Sequence, residues 1–134
     1  MGEIDDNHPI FVAFRTGNFS EVQKLVQRNP ELVNILDVYK RTPLHYATNL
    51  GTNKLVEFLI EKGAQVNTAD IDYLTPLHLA SINGSATIVK TLLEKGAFTN
   101  VEELCNLTPL DMAIKNDHSS VIDQLLEDIF CAMQ

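Results

Sequence analysis

The 134-residue sequence predicts an all-α repeat solenoid, and three observations predict it. A hexapeptide, Thr42-Pro43-Leu44-His45-Tyr46-Ala47, returns as Thr75-Pro76-Leu77-His78-Leu79-Ala80 and again as Thr108-Pro109-Leu110-Asp111-Met112-Ala113, at a step of 33 residues both times. A glycine stands four residues after the alanine at Gly17, Gly51 and Gly84. After Gly51 and Gly84, apolar residues fall at i, i+1, i+4 and i+5 (Leu55, Val56, Leu59, Ile60; then Ile88, Val89, Leu92, Leu93), the stripe of a helix facing a core.

The hexapeptide starts a helix for physical reasons. The Thr42 hydroxyl can accept from a free backbone N–H of the first turn. Pro43 then occupies the first helical position, where no N–H is needed and its fixed φ suits the helix. Leu44 and Ala47 share a face, and the small alanine lets a neighbouring helix approach. His45 can bond to backbone or to the Thr42 hydroxyl. The same holds from Thr75 and Thr108.

A unit of this length opening on this hexapeptide resembles the ankyrin repeat, and the resemblance covers nearly the whole chain. It implies a stack of helix-turn-helix-hairpin units, in which the hexapeptide histidine helps tie adjacent units. One such unit cannot bury its own apolar stripe, whereas four stacked units bury a continuous core.

The chain divides in order into a lead-in, residues 1–7, and four repeats at about 8–36, 37–69, 70–102 and 103–134, forming one domain. The opening Met1-Gly2-Glu3-Ile4-Asp5-Asp6 is acidic and has no apolar run, so it does not read as a signal peptide. Asp6 breaks the myristoylation pattern. Repeat one lacks the threonine but keeps Pro9, an apolar residue and Ala13 in order, with Val22, Leu25 and Val26 on the face of its second helix and Pro30 marking the break. Repeats two and three close on Gly63-Ala64 and Gly96-Ala97. Repeat four departs: Asp111 replaces the histidine, Asp117 replaces the glycine, and Ile129, Phe130 and Met133 continue where the Gly-Ala pair is expected, which reads as a cap. The family usually places glycine two residues before the threonine, in the hairpin turn. Here Lys40, Tyr73 and Asn106 stand there. Asparagine tolerates a positive φ, whereas lysine and tyrosine tolerate it poorly, at about 1 kcal/mol each, unless the turn takes another form.

Composition excludes several function classes. No apolar run approaches the roughly 18 residues of a membrane span. The formal net charge of −8 and the absence of a basic cluster longer than Lys40-Arg41 disfavour nucleic acid. Cys105 and Cys131 form no paired motif and read as free thiols of a reducing compartment. Two cysteines and four scattered histidines lack zinc-ligand spacing. His45 and His78 recur with the repeat and read as structural, while the pair Glu102-Glu103 reads as solvated surface. No nucleotide-binding or hydrolase motif occurs. The expectation is a non-enzyme with no cofactor and no metal. Residues 102–134 carry seven carboxylates against Lys115 alone, a solvated acidic surface or an electrostatic guide for a basic partner.

The functional signal is apolar residues where the repeat does not require them. In the resembling family, partners dock on the hairpin tips and inner helices along the concave face. Matched residue by residue, that face holds Tyr39, Arg41, Leu50, Ile71, Asp72, Leu74, Ile82, Asn83, Leu104 and Leu107, a strip with a polar rim of the kind that marks interaction sites. Leu74 and Leu107 are related by the repeat and have an alternative reading as packing between hairpins. The expectation is an adaptor or inhibitor that binds a protein partner as a monomer, in the cytoplasm or also the nucleus. The alternative is a spacer within a larger array, with Ile129, Phe130 and Met133 packing on a next repeat. Asn67 and Asn100 resemble the hairpin asparagines that asparaginyl hydroxylases modify in this family, with Leu59 and Leu92 eight residues before them.

Overall fold

The computed structural model of the chain describes residues 7–134, so the readings made on residues 1–6 lie outside the described residues. Among the described residues the helices come in four pairs and no β-strand occurs. The pairs are α1 (Pro9–Arg15) with α2 (Phe19–Arg28), α3 (Pro43–Leu50) with α4 (Asn53–Glu61), α5 (Pro76–Asn83) with α6 (Ala86–Glu94), and α7 (Pro109–Lys115) with α8 (Ser119–Ala132). The first helices form one row, α1 on α3, α3 on α5 and α5 on α7. The second helices form another, α4 on α6 and α6 on α8, and a 3₁₀ turn over Pro30–Asn34 fills in beside α2 and α3. This is the all-α repeat solenoid that the sequence predicts.

The helix starts follow from the hexapeptide. Thr42, Thr75 and Thr108 are extended N-caps whose hydroxyls accept from the backbone N–H three residues on, at 3.3, 3.3 and 3.2 Å. The residue three after each cap reaches back: His45 Nδ1 accepts from the Thr42 N–H at 3.1 Å, His78 Nδ1 from Thr75 at 3.2 Å and Asp111 Oδ2 from Thr108 at 2.9 Å. Two otherwise orphaned backbone donors are thus satisfied at each start. In the first pair, which lacks the threonine, His8 takes the role and its Nδ1 accepts from the Ile10 N–H.

Gly51 and Gly84 end α3 and α5 in the left-handed conformation, at φ 78° and 72°, as an unhindered residue can. Asp117 holds φ 57° at the equivalent place after α7. The hairpin turns keep the family's form despite their residues: Lys40, Tyr73 and Asn106 have φ of 60°, 64° and 64°.

One core runs through the stack. Leu44, Ala47, Leu77, Ala80 and Ala113 of the first row are fully buried, as are Val56, Leu59, Val89, Leu92, Val121 and Leu125 of the second. The stripe is narrower than its spacing suggests: Ile60, Leu93 and Ile122 are half-buried and Leu126 is exposed. On α8 this follows from the absence of a fifth helix pair among the described residues. Truncating a fully buried side chain such as Leu92 to alanine removes about 2–5 kcal/mol.

Candidate functional site

The hairpins that carry most of the candidate residues are built on a recurring acid. Asp37 Oδ1 accepts from the backbone N–H groups of Tyr39 and Arg41, both at 2.9 Å. Asp70 Oδ1 accepts likewise from Asp72 and Leu74, and Glu103 Oε1 from Cys105 and Leu107. Each turn also closes on one backbone bond, the Asp37, Asp70 and Glu103 N–H groups donating to the Arg41, Leu74 and Leu107 carbonyls. Glu103 is therefore a turn anchor, which corrects its reading as solvated surface. Longer than aspartate by one methylene, it still reaches two amides. Burial acts to raise the Asp37 carboxyl, but the Tyr46 hydroxyl, the Arg41 and Tyr39 amides and the Arg41 charge outweigh it and hold the group below the usual carboxylate range.

Successive hairpins are joined at their tips. The Ile71 N–H donates to the Tyr39 carbonyl at 2.9 Å, and the Leu104 N–H to the Asp72 carbonyl at 3.0 Å. These bonds stack Tyr39, Ile71 with Asp72, and Leu104 in one row. Tyr39 is 50% exposed, Ile71 53% and Leu104 61%, so the row offers apolar surface. Val38 and Tyr73 are also exposed at these tips.

Beside the row lies a groove of about 240 Å³, lined on one side by Arg41, Asp70, Asp72 and Leu74 of the hairpins and on the other by His45, Tyr46, Asn49 and Leu79 of α3 and α5. Leu74, which is half-buried, is among the residues that line it. The Arg41 guanidinium bonds Asp37 Oδ2 at 3.0 Å and lies over the rings of Tyr39 (4.7 Å) and Tyr46 (5.0 Å). Its first job is thus to hold Tyr39 in place. Tyr46 donates to Asp37 Oδ2 and packs on Phe11 and Phe14 of α1.

The structure does not gather all ten candidates. Leu50 and Asn83 are exposed at the far ends of α3 and α5, about 10 Å of helix rise from the hairpin end. Asn83 is bonded there to the Asn49 carbonyl and side chain, at 3.4 and 3.2 Å. Ile82 is half-buried and its carbonyl accepts from His118 Nε2 at 2.8 Å. Leu107 is half-buried, like its counterpart Leu74. The expected single strip therefore divides into a hairpin row with its groove and a patch at the helix ends that meets the groove at Asn49.

The histidines and asparagines hold the pairs in register. His45 Nδ1 accepts from an amide, so its proton sits on Nε2, which bonds the Leu74 carbonyl at 2.8 Å. His78 does the same to Leu107 at 3.0 Å. Burial pushes both imidazoles below their ordinary pKa, against the partial offset of those carbonyl bonds. Asn34 donates to the Gly63 carbonyl and accepts from the Gln65 N–H, and Asn67 repeats this with Gly96 and Phe98. Asn100 makes no such bridge, because α8 stays helical where a glycine turn would face it. Neither cysteine is bonded to the other, and no cluster of metal-ligating side chains forms among the described residues. No helix of the described residues is long and apolar enough to cross a membrane.

The residues that sequence reasoning passed over are the anchors Asp37 and Asp70, which act as Glu103 does, and the groove walls Tyr46 and Leu79. The acids recur at the 33-residue step, five positions before each threonine, a signal that was there to be read. A family model described as ankyrin repeats (3 copies) matches residues 2–70 and again residues 67–133. With that match across the chain, and with stacked helix pairs, capping boxes and hairpins in the family's arrangement, the chain belongs to the ankyrin-repeat family.

Proposed function

We propose that this chain is a non-catalytic adaptor or inhibitor module that binds a protein partner along the hairpin row and the adjoining groove. Ankyrin repeats are in general protein-interaction modules, and the specific role is inferred from the surface. The observation that carries it is the alignment of Tyr39, Ile71 and Leu104, each half or more exposed, by backbone bonds that fix their spacing. A fixed row of apolar side chains loses little entropy when a partner covers it. Tyr39 is the anchor, a residue type enriched at binding hot spots. Tyr73 supports the same reading, since a large exposed residue sits where glycine would cost less. Exposed Asp72 at the groove favours a partner that brings a basic or N–H donor group to it.

In this reading the chain is one domain of four repeats with the boundaries given above, acts as a monomer, needs no cofactor and works in the cytoplasm or also the nucleus. Asn67 and Asn100 remain hydroxylation candidates. Asn67 is occupied by its bridge whereas Asn100 is exposed and unbridged, so Asn100 is the better substrate. Gain of one oxygen in intact mass after treatment with an asparaginyl hydroxylase tests this.

The test of the main reading is affinity purification from native extract, comparing the wild-type chain with Tyr39→Ser/Ile71→Ser/Leu104→Ser. Proteins recovered by the wild type and lost by the variant name the partner. Equal recovery by both chains rejects the hairpin row.

A further inference from the structure

A second apolar surface lies at the far end of the stack, away from the hairpin groove. The α6-facing side of α8 is identified by its contacts: Gln124 Nε2 bonds the Ala86 carbonyl at 3.0 Å, and Gln124, Glu127, Asp128 and Cys131 line a cleft with Lys90, Leu93 and Glu94. Helical periodicity places Ile122, Leu126, Phe130 and Met133 on the opposite side. Phe130 is 62% exposed and Met133 76%, and Leu126 is exposed as well. On α7 the same reasoning puts half-buried Leu110 and exposed Ile114 beside them, since Met112 and Ala113 occupy the buried side. Two adjacent helices thus present one continuous apolar face.

Three features say what does not cover it. Another repeat of the same kind would take a bond from the hexapeptide histidine, as Leu74 and Leu107 do. Asp111 stands there instead, and its carboxylate already accepts from Thr108 and has no proton to donate. The asparagine series Asn34, Asn67 and Asn100, of which the first two bridge, continues at Met133, which cannot make the bridge. The glycine turn series, Gly63 and Gly96, continues at Ile129, inside α8. A second copy is disfavoured by charge. Asp111 and Asp123 are exposed at the edge of this face, and the same end of a second copy would bring only Lys115, the one basic residue of positions 102–134, to meet them.

We propose that this end face docks an amphipathic helix of another protein, apolar on one side and flanked by lysine or arginine. The apolar stripe fits the helix-in-groove mode, in which a helix lays its apolar side along the line between two helices. The carboxylates at the edge, together with the shortage of basic residues after position 102, select basic flanks. The surface is separate from the hairpin row, so this proposal stands or falls independently of it.

The probes are two leucine-striped helical peptides, one with lysine flanks and one with glutamate flanks, titrated by fluorescence anisotropy. The lysine peptide should bind the wild-type chain about tenfold or more tighter than the glutamate peptide. Phe130→Ser/Met133→Ser should weaken it about tenfold with the helical circular dichroism unchanged. Asp111→Asn/Asp123→Asn should shrink the preference for lysine, weakening the lysine peptide and relieving the repulsion of the glutamate peptide. Absence of binding, equal binding of both peptides, or binding insensitive to Phe130 and Met133 overturns the proposal. So does a concentration-dependent dimer of the wild-type chain that Phe130→Ser/Met133→Ser abolishes, which would make a second copy the occupant.

Discussion

The Nε2 of His45 donates to the carbonyl oxygen of Leu74 across 2.8 Å, and that bond ties the start of α3 to the hairpin of the next pair. The same ring accepts from the Thr42 N–H on its other nitrogen. One side chain thus satisfies a helix start and a neighbouring turn, the Thr42 end buried and the Leu74 end partly so. Replacing it by alanine strands an amide and a carbonyl. His45→Ala should therefore cost about 2–4 kcal/mol, read as a lower midpoint in urea unfolding. A loss below about 0.5 kcal/mol would mean that water replaces the ring without penalty.

Stability should fall on mild acidification. In the folded chain burial holds His45 and His78 below their ordinary value of 6.5, whereas the unfolded chain titrates near it. As the pH drops, the unfolded state takes up protons that the native state refuses. The contribution of the two rings is thus fully present above about 6.5 and is lost from there down to the lowered native values. Asp37 acts lower, because its contribution persists above the ordinary 3.8 and is lost only as the pH falls through its depressed native value. Unfolding free energies measured between about pH 7 and pH 5 should decline in the wild type and flatten in His45→Gln/His78→Gln. A flat wild-type profile contradicts the tautomer assigned here.

The hairpin turns carry strain that glycine would relieve. Lys40→Gly and Tyr73→Gly should each raise stability by about 1 kcal/mol, and Asn106→Gly by less, since asparagine tolerates φ 64°. If Tyr73 meets the partner, Tyr73→Gly should at the same time weaken binding. Thermal melts with binding assays on the same variants check both.

Gly84 is constrained twice. Its φ is 72°, and an added Cβ would lie 2.5 Å from His118 Nδ1. Gly51 has a similar φ of 78° with nothing within 4 Å. Alanine should be tolerated less well at Gly84 than at Gly51, by about 1–2 kcal/mol, because the His118 ring must give up its bond to the Ile82 carbonyl. Equal losses at the two sites would show that His118 swings away freely.

The repeat architecture was legible because its signals are local and periodic. Thr42, Pro43 and His45 state a helix start, and Gly51 states its end, without reference to anything distant. The hairpin positions Lys40, Tyr73 and Asn106 could be located but their conformation could not, since residue type argued for one geometry and the family for another. The docking surface was legible only in part. Tyr39, Ile71 and Leu104 stand out because the repeat does not require apolar residues there. Leu74 and Leu107 were open to a second reading as packing between hairpins and Ile82 was not, yet all three are half-covered, with their carbonyls bonded by His45, His78 and His118. That cover depends on contacts between residues 29 to 36 apart, which a spacing pattern within one unit does not encode. Glu103 was misread because an acidic pair in a loop carries no sign of which oxygen the backbone will use.

The central claim is that the hairpin row, and not the helix-end patch, meets the partner. It is tested most directly by titrating the captured partner, once purified, against two variants. These are Tyr39→Ser/Ile71→Ser/Leu104→Ser in the row and Leu50→Ser/Asn83→Ala at the helix ends. The account predicts that the row variant loses affinity by about a hundredfold or more, roughly 2.7 kcal/mol, while the helix-end variant stays within about twofold. Full affinity in the row variant, or a larger loss in the helix-end variant, would contradict it.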